Sequence, residues 1–280
     1  MAENLKVIHS VHPDDFKKYD TELIRERFLL SGLMVPGGVN FIYTHYDRMI
    51  VGGAVPQGRQ LTLGNYENLR SEYFLERREM GILNVGGPGS VAAGGKEYPL
   101  AKLDCLYVGK GIEDVSFRSA DPANPAVYYI LSAPAHAEYP VTLLTNKEAE
   151  ANAMGALETS NQRTIFRYIH KAGIKSCQLV MGLTLLQPGS VWNTIPPHTH
   201  DRRMEAYFYF DLPPESVVFH YMGEPAQTRH ILMRNHEAVV SPPWSIHAGS
   251  GTSNYGFIWG MAGENLEYTD MDALQTGQLR

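Results

Sequence analysis

Three histidines and a glutamate in the last third of the chain have the types and spacing to hold a divalent cation. Three of the four lie in the segment PGSVWNTIPPHTHDRRMEAYFYF. His198 and His200 are two residues apart, so on an extended strand both imidazoles project to one face. A short turn over DRRM lets Glu205 open a partner strand facing the same interior, with Tyr207 and Tyr209 following on that face. Much later the segment SPPWSIHAGSGT supplies His247. Three imidazoles and a carboxylate converging inside a small barrel make a divalent-metal site with open coordination positions. A bare H-x-H pair is weak evidence, because most histidine pairs in β proteins are surface or core residues. The Pro-Gly turn before it, the spacer to Glu205, the aromatic strand after it and the later Pro-to-His turn make it a candidate centre.

Such a centre needs short paired strands, and the chain reads that way. Runs such as MIVGGAVP, CLYVGKG, AVYYILSAP, EAYFYFDLP, EAVVSPPW and YGFIWGMAG are rich in Val, Ile, Tyr and Phe and are bounded by Gly or Pro. Many such strands at close spacing predict a mainly β protein of sandwich or barrel type. Helical pattern is confined to PDDFKKYDTELIRERFLL, with Asp14 as its cap, and KEAEANAMGAL. ENLRSEYFLER is ambiguous, and its YFLER part is expected to enter a sheet. An internal repeat pairs MGILNVGGPGSV (Met80–Val91) with MGLTLLQPGSV (Met181–Val191), and AVYYILSAPAH (Ala126–His136) with NYGFIWGMAGE (Asn254–Glu264). The economical reading is two similar β units, residues 1–145 and 146–280, joined by a polar, small-residue stretch. After Pro88-Gly-Ser-Val the first unit has no histidine where the second has its ligands. It is expected to lack the metal site and to build an interface instead.

Composition sets bounds on function. The chain has 280 residues, long enough for a sizeable core or two small ones. Twenty-four Lys and Arg against 30 Asp and Glu give a net charge of −6. That argues against nucleic acid or an anionic membrane as a partner and leaves a small-molecule substrate open. Cys105 and Cys177 sit in apolar settings and read as inert core thiols. The N-terminal residues carry no apolar signal core, and no apolar run is long enough to span a bilayer, so a cytoplasmic protein is expected.

Together Gly189, His198-Thr-His200, Glu205 and the later Pro242-Pro-Trp-Ser-Ile-His247 resemble the two motifs of the cupin superfamily. Two departures, Trp244 in place of the second motif's glycine and the missing glycine after the first, touch no ligand. The likeness extends further. YFLERRE, LYVGKG, PAH-x-x-YP, HTHDRRMEAYFYF, TRHI, SPPWSIHAGSGT and FIWGMAGEN are similar to the 5-keto-4-deoxyuronate isomerase family, from about residue 6 to the C-terminal DMDALQTGQLR. The resemblance implies a two-unit cupin fold, one zinc (Zn2+) per chain on His198, His200, Glu205 and His247, and a homohexamer. It also implies a place in the breakdown of pectin-derived uronates. The reaction implied turns 5-dehydro-4-deoxy-D-glucuronate into 3-deoxy-D-glycero-2,5-hexodiulosonate.

Aldose–ketose isomerisation moves a proton from C2 to C1 through an enediol, and a metal acting as Lewis acid stabilises the oxygens' developing charge. Glu205, Tyr207 or a metal-bound hydroxide is the base. The substrate carboxylate calls for an arginine. Arg229 in TRHI is the first choice, with Arg202, Arg203 and Arg163 as competitors. His170, His220, His230 and His236 read as structural. Trp192 is expected to wall the pocket, with Trp244 and Trp259 mainly in the core. The ligand types also suit a metal-dependent cupin dioxygenase or a sugar-binding cupin without catalysis.

Overall fold

A computed structural model describes residues 5–280. Strand β1 (Lys6–Ile8) is followed by two short helices, α1 (Pro13–Phe16) and α2 (Thr21–Phe28), and by β2 (Leu29–Leu30). The sequence pattern predicts one helix there, capped by Asp14. The chain instead makes two, because two separate caps are present. The His12 ring accepts from the Asp14 N–H ahead of α1, and Asp20 accepts from the Leu23 N–H at 2.9 Å ahead of α2. Asp14 sits inside the first turn of α1 and pairs with Lys17 at 2.8 Å.

Next come β3 (Val39–Thr44), β4 (Ile50–Ala54), β5 (Leu61–Thr62), β6 (Arg78–Asn84), β7 (Gly89–Ala93), β8 (Lys96–Leu100), β9 (Cys105–Val108), β10 (Val115–Ser119), β11 (Tyr128–Pro134) and β12 (Thr142–Leu144). The YFLER segment does not enter the sheet as expected. It turns, with Glu76 N–H on Tyr73 C=O, and buries Phe74 and Leu75 in the core before β6 begins. The remaining strands are β13 (Glu150–Met154), β14 (Arg163–Ile169), β15 (Val180–Leu186), β16 (Trp192–Asn193), β17 (His198–Thr199), β18 (Arg203–Phe210), β19 (Val218–Glu224), β20 (Gln227–Met233), β21 (Ala238–Ser241), β22 (Ile246–Gly251), β23 (Gly256–Gly263) and β24 (Asp272–Ala273). The helix expected in KEAEANAMGAL is therefore a strand, β13. All five of its residues are exposed, so there is no apolar stripe for a helix to bury, and pairing with β14 at the sheet edge prevails. No helix among the described residues is long and apolar enough to cross a membrane.

The chain separates into two units. One comprises residues up to Ile8, Gly32–Glu150 and Tyr168–Val180; the other comprises His9–Ser31, Ala151–Arg167 and Met181–Arg280. A single cut at 145/146 does not describe this division, because each unit takes a segment from the other side of that point. Among the described residues, the first unit has sheets in the order β1-β3-β4-β11-β6-β9-β12 and β5-β10-β7-β8. The orders β13-β14-β15-β23-β18-β21-β2 and β16-β22-β19-β20 recur in the second. The first unit's core lies between its sheets: Ile50, Met80, Ile82, Leu106 and Ile130 face Val91, Leu100, Val115 and Phe117.

These orders revise the internal repeat. β11 and β23 hold the same place, as the second matched pair of segments predicts. Met80 and Met181 do not: β6 occupies the place of β18, and β4 that of β15. The shared Pro-Gly-Ser-Val follows different strands in the two units.

Alternation along β6 sends Met80 and Ile82 into the first core and Glu79 to the opposite face. There the buried Glu79 carboxylate accepts the N–H groups of Cys177 (2.7 Å), Gln178 (2.8 Å) and Leu179 (2.9 Å) and the Tyr107 hydroxyl (2.8 Å). Replacing it by alanine strands several buried donors at once. Glu79→Ala is expected to cost about 3 kcal/mol or more in chemical denaturation, and Glu79→Gln clearly less, since an amide oxygen still accepts. Equal, small losses for both would contradict this account.

Candidate metal centre

In the second unit, residues at alternate positions of β18 face the interior, and β18 pairs with β21 on one side and β23 on the other. Glu205, Tyr207 and Tyr209 therefore line one wall. His247 on β22 comes from the smaller sheet, whose β19 neighbour contributes buried His220 and Met222. His198 is on β17, which pairs with β24. His200 follows in the turn leading to β18.

The ligand-type atoms of His198, His200, Glu205 and His247 all lie within 4.8 Å of one another, with the last three side chains buried. His198 Nε2 stands 3.0 Å from His200 Nε2 and 2.9 Å from His247 Nε2. Glu205 Oε2 stands 2.9 Å from His200 Nε2 and 2.8 Å from His247 Nε2. Two donors bound at about 2.1 Å to one ion are about 3.0 Å apart when they meet at a right angle. The four edges have that spacing.

Hydrogen bonding shows that the residues fit an ion. His200 Nδ1 lies 2.6 Å from the backbone carbonyl of Asp270. A carbonyl only accepts, so Nδ1 carries a proton, and in the neutral ring Nε2 then presents a lone pair toward the Glu205 carboxylate. Two acceptors at 2.9 Å call for a cation between them. Burial, reinforced by the neighbouring His247, pushes the pKa of His198 down to about 2, which keeps its nitrogen free to ligate at neutral pH. Burial pushes the Glu205 carboxyl up, but hydrogen bonds and positive charge from His247 and His200 hold it well below the usual carboxylate range, so positive charge at this spot, whether on the rings or on an ion, keeps the group ionised.

The cluster opens into a cavity of about 590 Å³, within the range of small-molecule sites. His198, His200, Glu205 and Tyr207 line it, as do Phe257, Trp259, Met261, Arg163 and Arg167. The Tyr207 hydroxyl lies 3.3 Å from Thr194 Oγ1, and burial next to Glu205 raises its pKa well above the phenolic value.

Other expected site residues fall elsewhere. Arg229 is in register with Met222 and His247, but two strands away on edge strand β20, where its guanidinium donates to the Thr228 and Lys17 carbonyls. Trp192 does not wall the cavity; its Nε1 donates to Thr159 C=O at 2.8 Å. Trp259 takes that role, lying against the cavity because Gly182 has no Cβ: one placed there would fall 2.2 Å from its ring. Trp244 packs on Phe16 and Phe28. Arg202 is bound by Asp270 and Asp272, and buried Arg203 donates to the carbonyls of Glu267 and Asp270. His220 shares a hydrogen bond with Tyr209, His236 stacks on Phe208, His230 lies against Phe219, and His170 stands 3.7 Å from Glu150. Cys105 is buried and Cys177 partly so, its sulfur on Ala137 C=O.

Arg163 is the competitor that reaches the cavity. Arg167, missed in the sequence, accompanies it, with its guanidinium 5.0 Å from the centre of the Tyr268 ring. The period-two spacing of Arg163, Ile165 and Arg167 was the available signal, since all three line the cavity.

Paired-sheet barrels in two units, with a His3Glu cluster in the second, define a two-barrel cupin. A crystal structure of an oxalate decarboxylase–formate complex from Lactobacillus farciminis has the same fold, with a TM-score of 0.55 at 10% identity over 79% of this chain and 78% of that one. An IolB-like protein from Salmonella typhimurium aligns with a TM-score of 0.73 at 16% identity over 88% of this chain and 96% of that one. The model of the KduI/IolB family matches residues 33–275, and the chain belongs to that family. It is 54% identical over 280 residues, the whole of both chains, to the 4-deoxy-L-threo-5-hexosulose-uronate ketol-isomerase of Formosa agariphila. It is 52% identical to that of Shouchella clausii, over 99% of this chain and all of the other.

Deleting one of four ligands leaves an incomplete shell. His198→Ala and His247→Ala are each expected to lose most bound metal by elemental analysis of purified protein. Glu205→Gln should weaken binding less. A full equivalent of metal in both histidine variants would place the ion elsewhere.

Proposed function

We propose that this chain is a metal-dependent aldose–ketose isomerase that converts 5-dehydro-4-deoxy-D-glucuronate to 3-deoxy-D-glycero-2,5-hexodiulosonate. Zinc, one ion per chain, is the proposed metal, held by His198, His200, Glu205 and His247. The observation that carries the reading is the His3Glu cluster on the wall of a small-molecule cavity, in a chain about half identical over its full length to named ketol-isomerases. The same reading makes it a cytoplasmic homohexamer acting on pectin-derived uronates.

Bound zinc supplies Lewis-acid stabilisation of the charge that develops on neighbouring substrate oxygens. The chain's residues supply the rest. Glu205 is held ionised at neutral pH and borders the cavity, so it is assigned the C2 proton and its return to C1. Tyr207 is held protonated by burial, so it acts as a hydrogen-bond donor to a substrate oxygen and not as the base. Arg163, with Nη1 on the Asn161 carbonyl at 3.0 Å, faces the cavity and is assigned the distal carboxylate in place of Arg229. Trp259, Phe257 and Met261 limit water around the reacting carbons.

Arg163→Ala is expected to raise KM at least about tenfold with a smaller effect on kcat, since it removes binding shared by ground and transition states. An unchanged KM would remove Arg163 from this role. Turnover in deuterated water, without oxygen, should place deuterium at C1 of the ketose, read by NMR. Dependence on oxygen would point to a dioxygenase. Complete absence of deuterium at C1 would argue for a hydride shift and leave Glu205 as a ligand alone.

A further inference from the structure

The segment after β23 forms one wall of the cavity and is held from behind. Tyr268, Thr269, Met271, Ala273 and Leu274 line the cavity. Asp270 and Asp272, which alternate with them, are gripped by Arg202. Its Nε and Nη2 lie 2.7 and 2.6 Å from Asp270 Oδ1, and Nη2 lies 3.1 Å from both oxygens of Asp272. Asn265 Nδ2 donates to the other Asp270 oxygen at 2.6 Å. At the ends of this strap, Glu264 N–H bonds Arg202 C=O and Leu274 N–H bonds Pro197 C=O. Most side chains between these anchors are exposed or half-buried, and Tyr268, packed against Trp259 and Arg167, is the main apolar contact of the middle.

The middle of the strap carries the carbonyl that orients a ligand. Asp270 C=O faces His200 Nδ1 at 2.6 Å and receives Arg203 Nη2 at 3.1 Å. A ligating imidazole is aimed, and its tautomer fixed, by the partner of its other nitrogen. The side chain of Asp270 thus anchors the residue whose backbone sets His200. A single half-buried ion pair at the rim of the fold contributes modestly to global stability, so its effect here is mainly local.

We infer that Arg202 and Asp270 are positioning residues for the metal centre: their ion pair fixes the Asp270 carbonyl that aims His200, and so sets how tightly the cluster holds its ion. This rests on the metal-centre reading above. Breaking the pair leaves the Asp270 carbonyl held by Arg203 without the side-chain anchor beside it, which loosens its placement while the rest of the strap stays tethered. His200 then loses a fixed acceptor, although Arg202 and the Asp270 side chain touch neither ion nor substrate.

The test uses the full chain. Zinc affinity is measured by competition with a chromophoric chelator, and ligand geometry by the visible absorption of the Co2+-loaded protein. Wild type, Arg202→Ala, Arg202→Lys, Asp270→Asn and a control, Lys17→Ala, are compared. Lys17 pairs with Asp14 and Glu224 away from the strap. Arg202→Ala and Asp270→Asn are expected to bind zinc about tenfold or more weakly, with altered Co2+ bands and a metal-free melting temperature close to wild type. Arg202→Lys should recover part of the affinity, and Lys17→Ala should match wild type. If Arg202→Ala does not fold, the near-isosteric Asp270→Asn decides. Wild-type affinity and Co2+ spectra in Asp270→Asn and in every folded Arg202 variant would overturn the inference alone, as would equal weakening by Lys17→Ala. Failure of wild type to bind an equivalent of metal would overturn the metal-centre reading and this inference with it.

Discussion

A backbone carbonyl can accept a hydrogen bond but never donate one, and the carbonyl of Asp270 imposes that limit on the centre of the second barrel. It keeps a proton on His200 Nδ1, which turns the other nitrogen into a lone pair aimed at a carboxylate. The surrounding architecture serves this arrangement. β18 puts Glu205 and Tyr207 on the inner face, β22 brings His247 across from the smaller sheet, and the pairing of β17 with β24 places His198 beside the segment that carries Asp270. No single element makes the site. Three strands and a turn each contribute one donor, so the cluster exists only when the unit's two larger sheets and the β17–β24 pair come together.

The ligands were legible because strand alternation is a local rule. Two histidines two apart, and a glutamate opening the next strand, face inward together whatever the rest of the chain does. The barrel class was legible for the same reason, from short β-branched and aromatic runs between glycines and prolines. What failed depended on long-range pairing. Arg229 shares a register line with His247, yet sits on an edge strand where the carbonyl of Lys17 draws its guanidinium away. KEAEANAMGAL has the propensity of a helix but nothing to pack against, and a sheet edge takes it. The cavity walls from β14, β23 and the strap lie far from the ligand motifs in sequence: Arg167 was signalled only by its period-two spacing from Arg163, and Tyr268 could be placed only by the fold.

The two units show how small a change separates a barrel with a metal cluster from one with an apolar interior. β6 begins Arg78-Glu79-Met80, and the topologically matching β18 begins Arg203-Met204-Glu205. Transposing the acid and the methionine moves the carboxylate by one position and therefore to the other face. In the first unit methionine fills the core, and the glutamate reaches out to the backbone of residues 177–179. In the second the glutamate joins three imidazoles. The first unit's apolar interior follows from that order and from the lack of histidines on β10.

Arg203 is almost fully buried, yet no carboxylate stands within ion-pairing distance of it among the contacts described. Its two terminal nitrogens donate to one loop, to the Glu267 and Asp270 carbonyls at 2.7 and 3.1 Å with the Tyr268 carbonyl and the Asn265 side chain at 3.5 Å, while the buried Nε has no partner among the described residues. This is a fork of donors dissolved in backbone, its charge spread over a plane that reaches several residues of one loop at once. An ammonium group is a compact point with a tighter hydration shell and cannot span those directions. The site therefore discriminates between two cations of equal charge, and a lysine there would preserve the electrostatics while releasing the loop.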